Sequence, residues 1–308
     1  MTTRLYSHLD FQGHQNPPGH PERPERARAI AAALDDESFA GLDRQEAPLG
    51  TVEQAALAHP GEYVEAIRAA VPASGLARLD PDTTVGPGSW EAAIRGVGGA
   101  VAAVDDVFAN GFANVFVASR PPGHHAERTT AMGFCLFNNA AIAARHAQRR
   151  HGAERVAVVD WDVHHGNGTQ DIFWSDPSVL YASTHQMPHY PGTGAASETG
   201  AGNIVNAPLH AGDGGDAFRE AFESRILPAL EAFRPDLVVI SAGFDAHARD
   251  PLGGLMLDEE DFSWATGKLM DLADAHAGGR LVSILEGGYD LEGLARSSAA
   301  HVARLMKG

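Results

Sequence analysis

The chain has 308 residues, of which 44 % are hydrophobic and 20 % are charged, and its formal net charge is −17. This balance excludes a wholly disordered chain, because enough apolar surface is present for a buried core. The negative charge argues against nucleic acid as a direct partner. Cys135 is the one cysteine, which excludes an internal disulfide and fits a reducing cytoplasm, and no apolar run approaches the length of a membrane span.

Strands and helices are predicted to alternate along the chain. Short apolar runs rich in β-branched residues, typical of strands buried on both faces of a parallel sheet, occupy residues 114–118, 155–160, 179–183, 237–241 and 281–285. Helical patterns occupy residues 90–108, 138–151, 215–233, 259–277 and 291–306. The alternation predicts an α/β fold with a mostly parallel central sheet flanked by helices, in one domain over residues 1–308.

Three segments rich in proline and glycine, residues 16–24, 80–88 and 185–202, are predicted to be long loops. Long loops at the carboxyl edge of a rigid sheet are where binding residues usually lie. We therefore expect these loops to border a functional site.

Asp160, Asp162 and His164 stand at the end of the predicted strand 155–160. Side chains of a strand alternate between its faces, so these three point to one side where the strand ends. In open α/β sheets that edge binds ligands. The carboxylate oxygen and imidazole nitrogen of an Asp-x-His pattern suit a borderline metal such as zinc.

Adjacent histidines, His124 and His125, follow a rigid Arg-Pro-Pro-Gly turn after the predicted strand 114–118. A histidine in this position can act as the general base for a metal-bound water. Each histidine taken alone also has a purely structural explanation.

Asp245 and Tyr289 follow the predicted strands 237–241 and 281–285. Alone, Asp245 could cap a helix and Tyr289 could be a packing residue. Strand ends that all carry such side chains are better explained by one shared pocket.

Six motifs occur in a fixed order: RPPGHHAE, GFCLFNNAA, VVDWDVHHGNGTQ, YPGTG, SAGFDAHARDPLGG and LEGGYD. Together they resemble the histone deacetylase family, which includes acetoin-utilisation proteins and acetylpolyamine amidohydrolases, and the resemblance extends from about His14 to His301. The segment GHPERPER resembles the class II branch and its bacterial relatives. The resemblance implies the arginase/deacetylase fold and zinc-dependent hydrolysis of an amide.

The resemblance implies that Asp162, His164 and Asp245 are zinc ligands. Two carboxylates and one imidazole leave a position open for water and the substrate carbonyl, as catalytic zinc requires. Tyr289 matches the tyrosine that donates its hydroxyl to the developing oxyanion.

The resemblance also gives roles to the tandem histidines. His125 would be the general base, and His124 would stabilise the transition state and help to protonate the leaving amine. Asp160 would orient His124, and Asn167 would orient His125. Because Asn167 is neutral, we expect His125 to be less basic than it would be beside an aspartate.

Two monovalent cation sites, normally filled by potassium, are implied in the same way. The first would use Asp160, Asp162, His164, Ser183 and Thr184, and the second would use Phe173, Asp176 and Val179.

The walls of a substrate tunnel can also be assigned by resemblance. Phe134 and Tyr190 match the two aromatic residues that line the acyl-lysine tunnel, and Gly133 lies at its wall. Asp82, or its neighbour Asp80, matches the acid at the rim that holds the substrate backbone. Leu252 occupies the position where polyamine-selective relatives carry glutamate, which favours an acyl-lysine-like substrate or a broad substrate range.

Several functions therefore compete at this point. The leading one is a zinc amidohydrolase that removes acetyl or a related short acyl group from an acylated amine. The alternatives are an acetylpolyamine deacetylase, an arginase-like manganese hydrolase, and a catalytically inactive protein that binds acyl groups. The oligomeric state stays open, a homo-oligomer included.

Overall fold

The computed structural model describes residues 2–307. Within them the strands β1 to β10, in chain order, are Thr3–Ser7, Asp43–Glu46, Ala77–Arg78, Thr84–Val85, Asn114–Val117, Val156–Asp160, Val179–Gln186, Ile204–Leu209, Leu237–Ala242 and Leu281–Leu285. The helices α1 to α10 are Glu25–Leu34, Val52–Ala55, Gly61–Ala70, Ser89–Ala109, Asn139–His151, Asn167–Phe173, Gly215–Ala221, Leu227–Phe233, Glu259–His276 and Leu291–Lys307.

One sheet contains eight of these strands in the order β2-β1-β5-β10-β9-β6-β7-β8. Every neighbouring pair in it is parallel. The short strands β3 and β4 pair separately and antiparallel. The predicted α/β fold with a parallel central sheet is thus confirmed.

Both faces of the sheet are apolar, which explains the continuous hydrophobic runs of its strands. In β5, Val115 and Val117 belong to one buried cluster, which includes residues of α4 and α5. Phe116, between them, belongs to the other cluster, which includes residues of α1, α9 and α10. The side-chain alternation of one strand therefore supplies the cores of two helical layers.

The predicted strands and helices agree with the observed ones to within a few residues, with one internal difference. The predicted helix 215–233 is α7 and α8 joined by a π-helical turn, Phe222–Ile226. The start of α9 is as expected, because the side chain of Asp258 accepts hydrogen bonds from the backbone N–H groups of Glu260 and Asp261.

Strands β1, β2, β3, β4 and β8 were not predicted from the sequence, and neither were helices α1, α2, α3 and α6. The four residues of β2 are polar and mostly exposed, because this strand lies at an edge of the sheet. At the opposite edge, β8 contains Pro208, which an edge strand tolerates because one side of it needs no backbone donors. Hydrophobic patterns are therefore strong in the central strands and weak at the margins.

Strands β5, β10, β9 and β6 are neighbours in the middle of the sheet, and their carboxyl ends lie at one edge. At that edge Asp160 of β6 is paired in register with Ser241 of β9 and Ser183 of β7. The loops that follow these strands are thereby brought together. None of the helices in residues 2–307 combines the length and apolar character needed to cross a bilayer.

Candidate active site

Asp162, His164 and Asp245 come together where β6 and β9 end. One ligand atom from each lies within 4.8 Å of the others, and all three residues are buried. Nδ1 of His164 lies 3.1 Å from Oδ1 of Asp162 and 3.2 Å from Oδ2 of Asp245. The predicted Asp-x-His pair and the aspartate after β9 therefore form one cluster.

Backbone N–H groups fix both carboxylates. Asp162 accepts hydrogen bonds from the backbone N–H groups of His164 and Gly287, each at 2.9 Å. Oδ1 of Asp245 accepts from the N–H of Val163 at 2.8 Å. A side chain at position 287 would overlap Oδ2 of Asp245, so only glycine fits there. The ligand positions thus depend on close approach of three loops.

In this cluster Oδ2 of Asp245 is a buried acceptor without a hydrogen-bond partner. Leaving a buried acceptor without a partner is costly. Burial, reinforced by the negative charge of Asp162, raises the pKa of Asp245 to about 7. Burial alone would lower the pKa of His164, but its hydrogen bond to Asp162 and its close contact with the carboxylate of Asp245 raise it to about 10. A divalent cation at the centre would bind Oδ2 of Asp245 and offset the repulsion between the two carboxylates, so the donor set fits zinc.

The tandem histidines lie beside this cluster, with their ring centres 4.0 Å apart. Nδ1 of His124 is 2.9 Å from Oδ2 of Asp160, which also accepts a hydrogen bond from the hydroxyl of Tyr181 at 3.0 Å. Nδ1 of His125 is 2.8 Å from Oδ1 of Asn167. The pairings expected from the sequence are therefore present, with one charged and one neutral partner.

The two histidines differ in protonation. Burial opposes charge on His124, but the negative charges of Asp162 and Asp160 outweigh it and raise its pKa well above 6.5. Burial and the positive charges of His124 and His164 lower the pKa of His125 well below 6.5. One member of the pair thus holds a proton and the other can accept one.

Tyr289 is held at the same edge by the loop that follows β10. Its backbone N–H donates to Oδ2 of Asp250 at 2.6 Å. The guanidinium of Arg26 lies 4.8 Å from the centre of the tyrosine ring, and its Nε donates to the carbonyl oxygen of Gly288 at 2.6 Å. Burial raises the pKa of Tyr289 well above 10, so its hydroxyl keeps the proton that it would donate.

A cavity of about 210 Å³ opens above the metal cluster. It is lined by Asp82, His125, Gly133, Phe134, His164, His189, Tyr190, Leu252 and Tyr289. All five predicted wall residues are among them, together with the general-base candidate, one metal-ligand candidate and Tyr289. The aromatic rings of Phe134 and Tyr289 meet edge to face, with centres 5.8 Å apart.

Comparisons with known proteins agree with this geometry. A family profile described as the histone deacetylase domain matches residues 20–305. The histone deacetylase-like amidohydrolase of Pseudomonas aeruginosa is 45 % identical over 290 residues, which cover 91 % of this chain and 76 % of that protein. This chain belongs to the histone deacetylase family.

Two further relatives extend the family assignment. A protein of Archaeoglobus fulgidus described as a probable deacetylase is 37 % identical over 300 residues, which cover 95 % of this chain and 83 % of that protein. The crystal structure of the HDA15 HD domain matches with a TM-score of 0.94 at 39 % identity, covering 99 % of this chain and 88 % of that one. The fold is therefore the arginase/deacetylase fold, and the chain is a histone deacetylase-family amidohydrolase.

In this deacetylase-family chain, the structure distinguishes the two acids at the rim. Oδ1 of Asp80 accepts hydrogen bonds from the backbone N–H groups of Asp82 and Thr83, at 2.9 and 2.6 Å, and so forms the turn. Asp82 lines the cavity and accepts a hydrogen bond from the hydroxyl of Thr83 at 3.1 Å. Asp82 is therefore the better candidate for contact with a substrate.

The residues of the first implied cation site, Asp160, Asp162, His164, Ser183 and Thr184, are all buried close to the metal cluster. The hydroxyl oxygen of Thr184 is buried without a hydrogen-bond partner, as a cation ligand would be.

At the second site, Nδ2 of Asn203 donates to the carbonyl oxygens of Phe173, Asp176 and Val179 at 2.9, 3.0 and 2.8 Å. The two hydrogens of one amide group are thus shared among those three oxygens. Both potassium sites stay predictions.

Sequence reasoning missed His189, which lines the cavity. Its ring stacks on that of His164 with centres 4.9 Å apart, and its Nε2 lies 2.8 Å from the carbonyl oxygen of Leu252. It therefore braces a candidate zinc ligand against the rim. Its position directly before Tyr190 in the loop 185–202 was the available signal.

Glu286 was also missed. Its Oε2 accepts hydrogen bonds from the backbone N–H groups of Gly123 and His124 at 2.6 and 3.0 Å, and burial raises its pKa to about 7. Arg26 donates from Nη2 to the carbonyl oxygen of Glu286 at 2.5 Å and pairs with Glu22 at 3.1 Å. These buried groups join the loop of the tandem histidines to the loop of Tyr289. The charged pattern PERPER contained Glu22 and Arg26, and the motif LEGGYD contained Glu286.

Proposed function

We propose that this protein is a zinc-dependent deacylase, which removes acetyl or a related short acyl group from an amine at the end of a narrow tunnel. The observation that carries the proposal is the meeting of three kinds of group at the bottom of one cavity. These are the cluster Asp162, His164 and Asp245, which reaches the cavity through His164, the imidazole of His125, and the hydroxyl of Tyr289.

Zinc held by the three ligands would supply Lewis acidity and lower the pKa of an attacking water. The other steps belong to the chain. His125, kept neutral by its surroundings and oriented by Asn167, accepts a proton from the attacking water. His124, which holds a proton beside Asp160, stabilises the transition state and helps to protonate the leaving amine. The hydroxyl of Tyr289 donates to the developing oxyanion.

Substrate binding is assigned to the walls and rim. The aromatic rings of Phe134 and Tyr190, with Gly133 at the wall, would pack against the methylene chain of an acyl-lysine. Asp82 would accept a hydrogen bond from the substrate backbone at the rim. We also propose potassium at the first cation site, where Thr184 offers a free oxygen, and a single deacetylase domain over residues 1–308.

An acetylpolyamine is the second candidate substrate. The net charge of −17 and the acid Asp82 at the mouth favour a cation. Leu252 argues the other way, because it offers no charge to a protonated secondary amine. An arginase-like paired-manganese site has weaker support, since the cluster found here within residues 2–307 comprises three ligands.

The experiment is a metal analysis combined with a substrate panel. Purified protein should contain about one tightly held zinc per chain, by the ligand count of a catalytic site. It should release acetate from acetyl-lysine peptides, acetylpolyamines or small acyl amides. If the protein depended on manganese and hydrolysed no acylated amine, the proposal would be wrong and an arginase-like manganese hydrolase would be favoured.

A further inference from the structure

A second group of metal-competent side chains lies away from the tunnel, near the ends of α4 and α5. Asp105 of α4 and His146 and His151 of α5 each offer one ligand atom, and these atoms lie within 4.8 Å of one another. Helix α4 precedes β5 and helix α5 precedes β6. The group therefore lies at the amino edge of the sheet, opposite the edge that carries the tunnel.

Both imidazole rings point at one carboxylate oxygen. Oδ1 of Asp105 is 2.8 Å from Nε2 of His146 and 2.7 Å from Nε2 of His151. The histidine side chains are only 13 % and 14 % exposed, whereas that of Asp105 is 42 % exposed. The nitrogens are thus shielded while the carboxylate is open, so an ion and a water ligand can enter from the side of Asp105.

The neighbouring structure holds the three side chains in place. The ring of His151 stacks on Phe108, with ring centres 4.8 Å apart and planes within 12° of parallel. Asp106 is buried, and its Oδ1 accepts a hydrogen bond from Nη1 of Arg4 at 2.8 Å. This contact anchors the last turns of α4 on the core. Asp105 is therefore directed away from the core and towards α5.

Two imidazole nitrogens and one carboxylate oxygen form a ligand set for zinc and similar transition metals, whereas calcium and magnesium need several oxygen ligands. Bonds of about 2.0 Å in a tetrahedral site place ligand atoms about 3.3 Å apart. The observed separations are shorter by about half an ångström, a gap that small side-chain rotations can open. The metal then binds the two Nε2 atoms, and each neutral ring carries its one proton on Nδ1.

We propose that Asp105, His146 and His151 form a second metal site, which takes zinc or a similar divalent transition metal and joins the ends of α4 and α5. A solvent water completes the coordination. Because the ion would bind the folded chain better than the unfolded one, it stabilises the fold by linkage. This site does not depend on the proposed deacylase chemistry.

The test counts zinc on the full chain that already holds its tightly bound catalytic metal. Calorimetric titration with zinc chloride should reveal one further binding event, and the unfolding temperature should rise as zinc is added. His146→Gln and His151→Asn should each weaken this event more than about tenfold, since even indirect partners of a metal are worth that much. Turnover and the first zinc should be unchanged.

His276→Gln is the matched control. His276 ends α9 much as His151 ends α5, and its Nε2 lies 2.6 Å from Oε2 of Glu231, but the pair belongs to neither metal-competent group in residues 2–307. This variant should keep the further zinc. If wild type and the double variant of His146 and His151 bind the same amount of zinc, the second site does not exist. A missing first zinc would instead count against the proposed function.

Discussion

The floor and the rim of the tunnel are built differently. The floor, defined as His124, His125, Asp162, His164 and Asp245, is buried, and each of its side chains is held by a neighbouring strand end or loop. The rim, defined as Asp82, His189, Tyr190 and Leu252, lies on loops, and Tyr190 is 38 % exposed. Many independent restraints thus fix the chemistry, while few fix the choice of substrate. Changes at the floor should abolish reaction, and changes at the rim should redirect it.

The largest effect is expected from removing a floor carboxylate. Asp245→Ala should lose the tightly held zinc and about 10³-fold or more of turnover, because the metal supplies several kcal/mol of transition-state stabilisation. Zinc content and acetate release are measured on the same preparation. Asp82→Ala at the rim is the control and should keep its zinc. Full metal and full turnover in Asp245→Ala would show that the ligand assignment is wrong.

Tyr289→Phe should have the next largest effect. Loss of one oxyanion donor typically lowers turnover by about 10²–10³-fold. Zinc content and KM should change little, because the lost contact forms only in the transition state. Steady-state kinetics separate kcat from KM. A rate near that of the wild type would assign oxyanion stabilisation to another group.

At the rim, Leu252→Glu should shift preference towards acetylspermidine over an acetyl-lysine peptide by about tenfold or more, because a charge pair at 4 Å is worth about 1 kcal/mol in water and about 4 kcal/mol near a protein surface. Leu252→Gln, which is similar in size to glutamate but neutral, should leave the preference near that of the wild type. The ratio of kcat/KM values measures it, at low and high salt. Long-range steering by the net charge fades with added salt, whereas a preference set inside the tunnel persists. A strong polyamine preference in the wild type at high salt would contradict our interpretation of Leu252.

The smallest effect is expected from Asp82→Ala, which removes the hydrogen-bond acceptor at the rim. A single hydrogen bond to substrate at a half-buried position is worth about 1 kcal/mol, or roughly fivefold in KM. The increase should appear with a peptide substrate and be absent with a small acyl amide, which has no peptide backbone to contact. A fall in kcat with both substrates would place Asp82 in the chemistry of the floor and break the distinction between the two regions.

Much of the floor could be predicted from the sequence because its residues directly follow strongly hydrophobic strands. Once β6 and β9 are placed side by side, Asp162 and Asp245 must meet at one edge. Glu286 and Arg26 could not be found in this way, because each acts on a loop distant in the chain. His189 and Asp82 sit on loops whose conformation no periodic pattern specifies, so the choice between Asp82 and Asp80 needed the structure.

The hydrogen bonds at the floor also have a consequence for biosynthesis. Asp245 accepts from Val163, 82 positions away, and Asp162 accepts from Gly287, 125 positions away. Both contacts are non-local, so they form only after large parts of the chain have been ordered. A nascent chain that has not yet released Gly287 from the ribosome lacks one of the donors that fix Asp162. Stable metal uptake at the proposed site is thus deferred until synthesis has passed Gly287, and bound metal would mark a chain whose central strands have already paired.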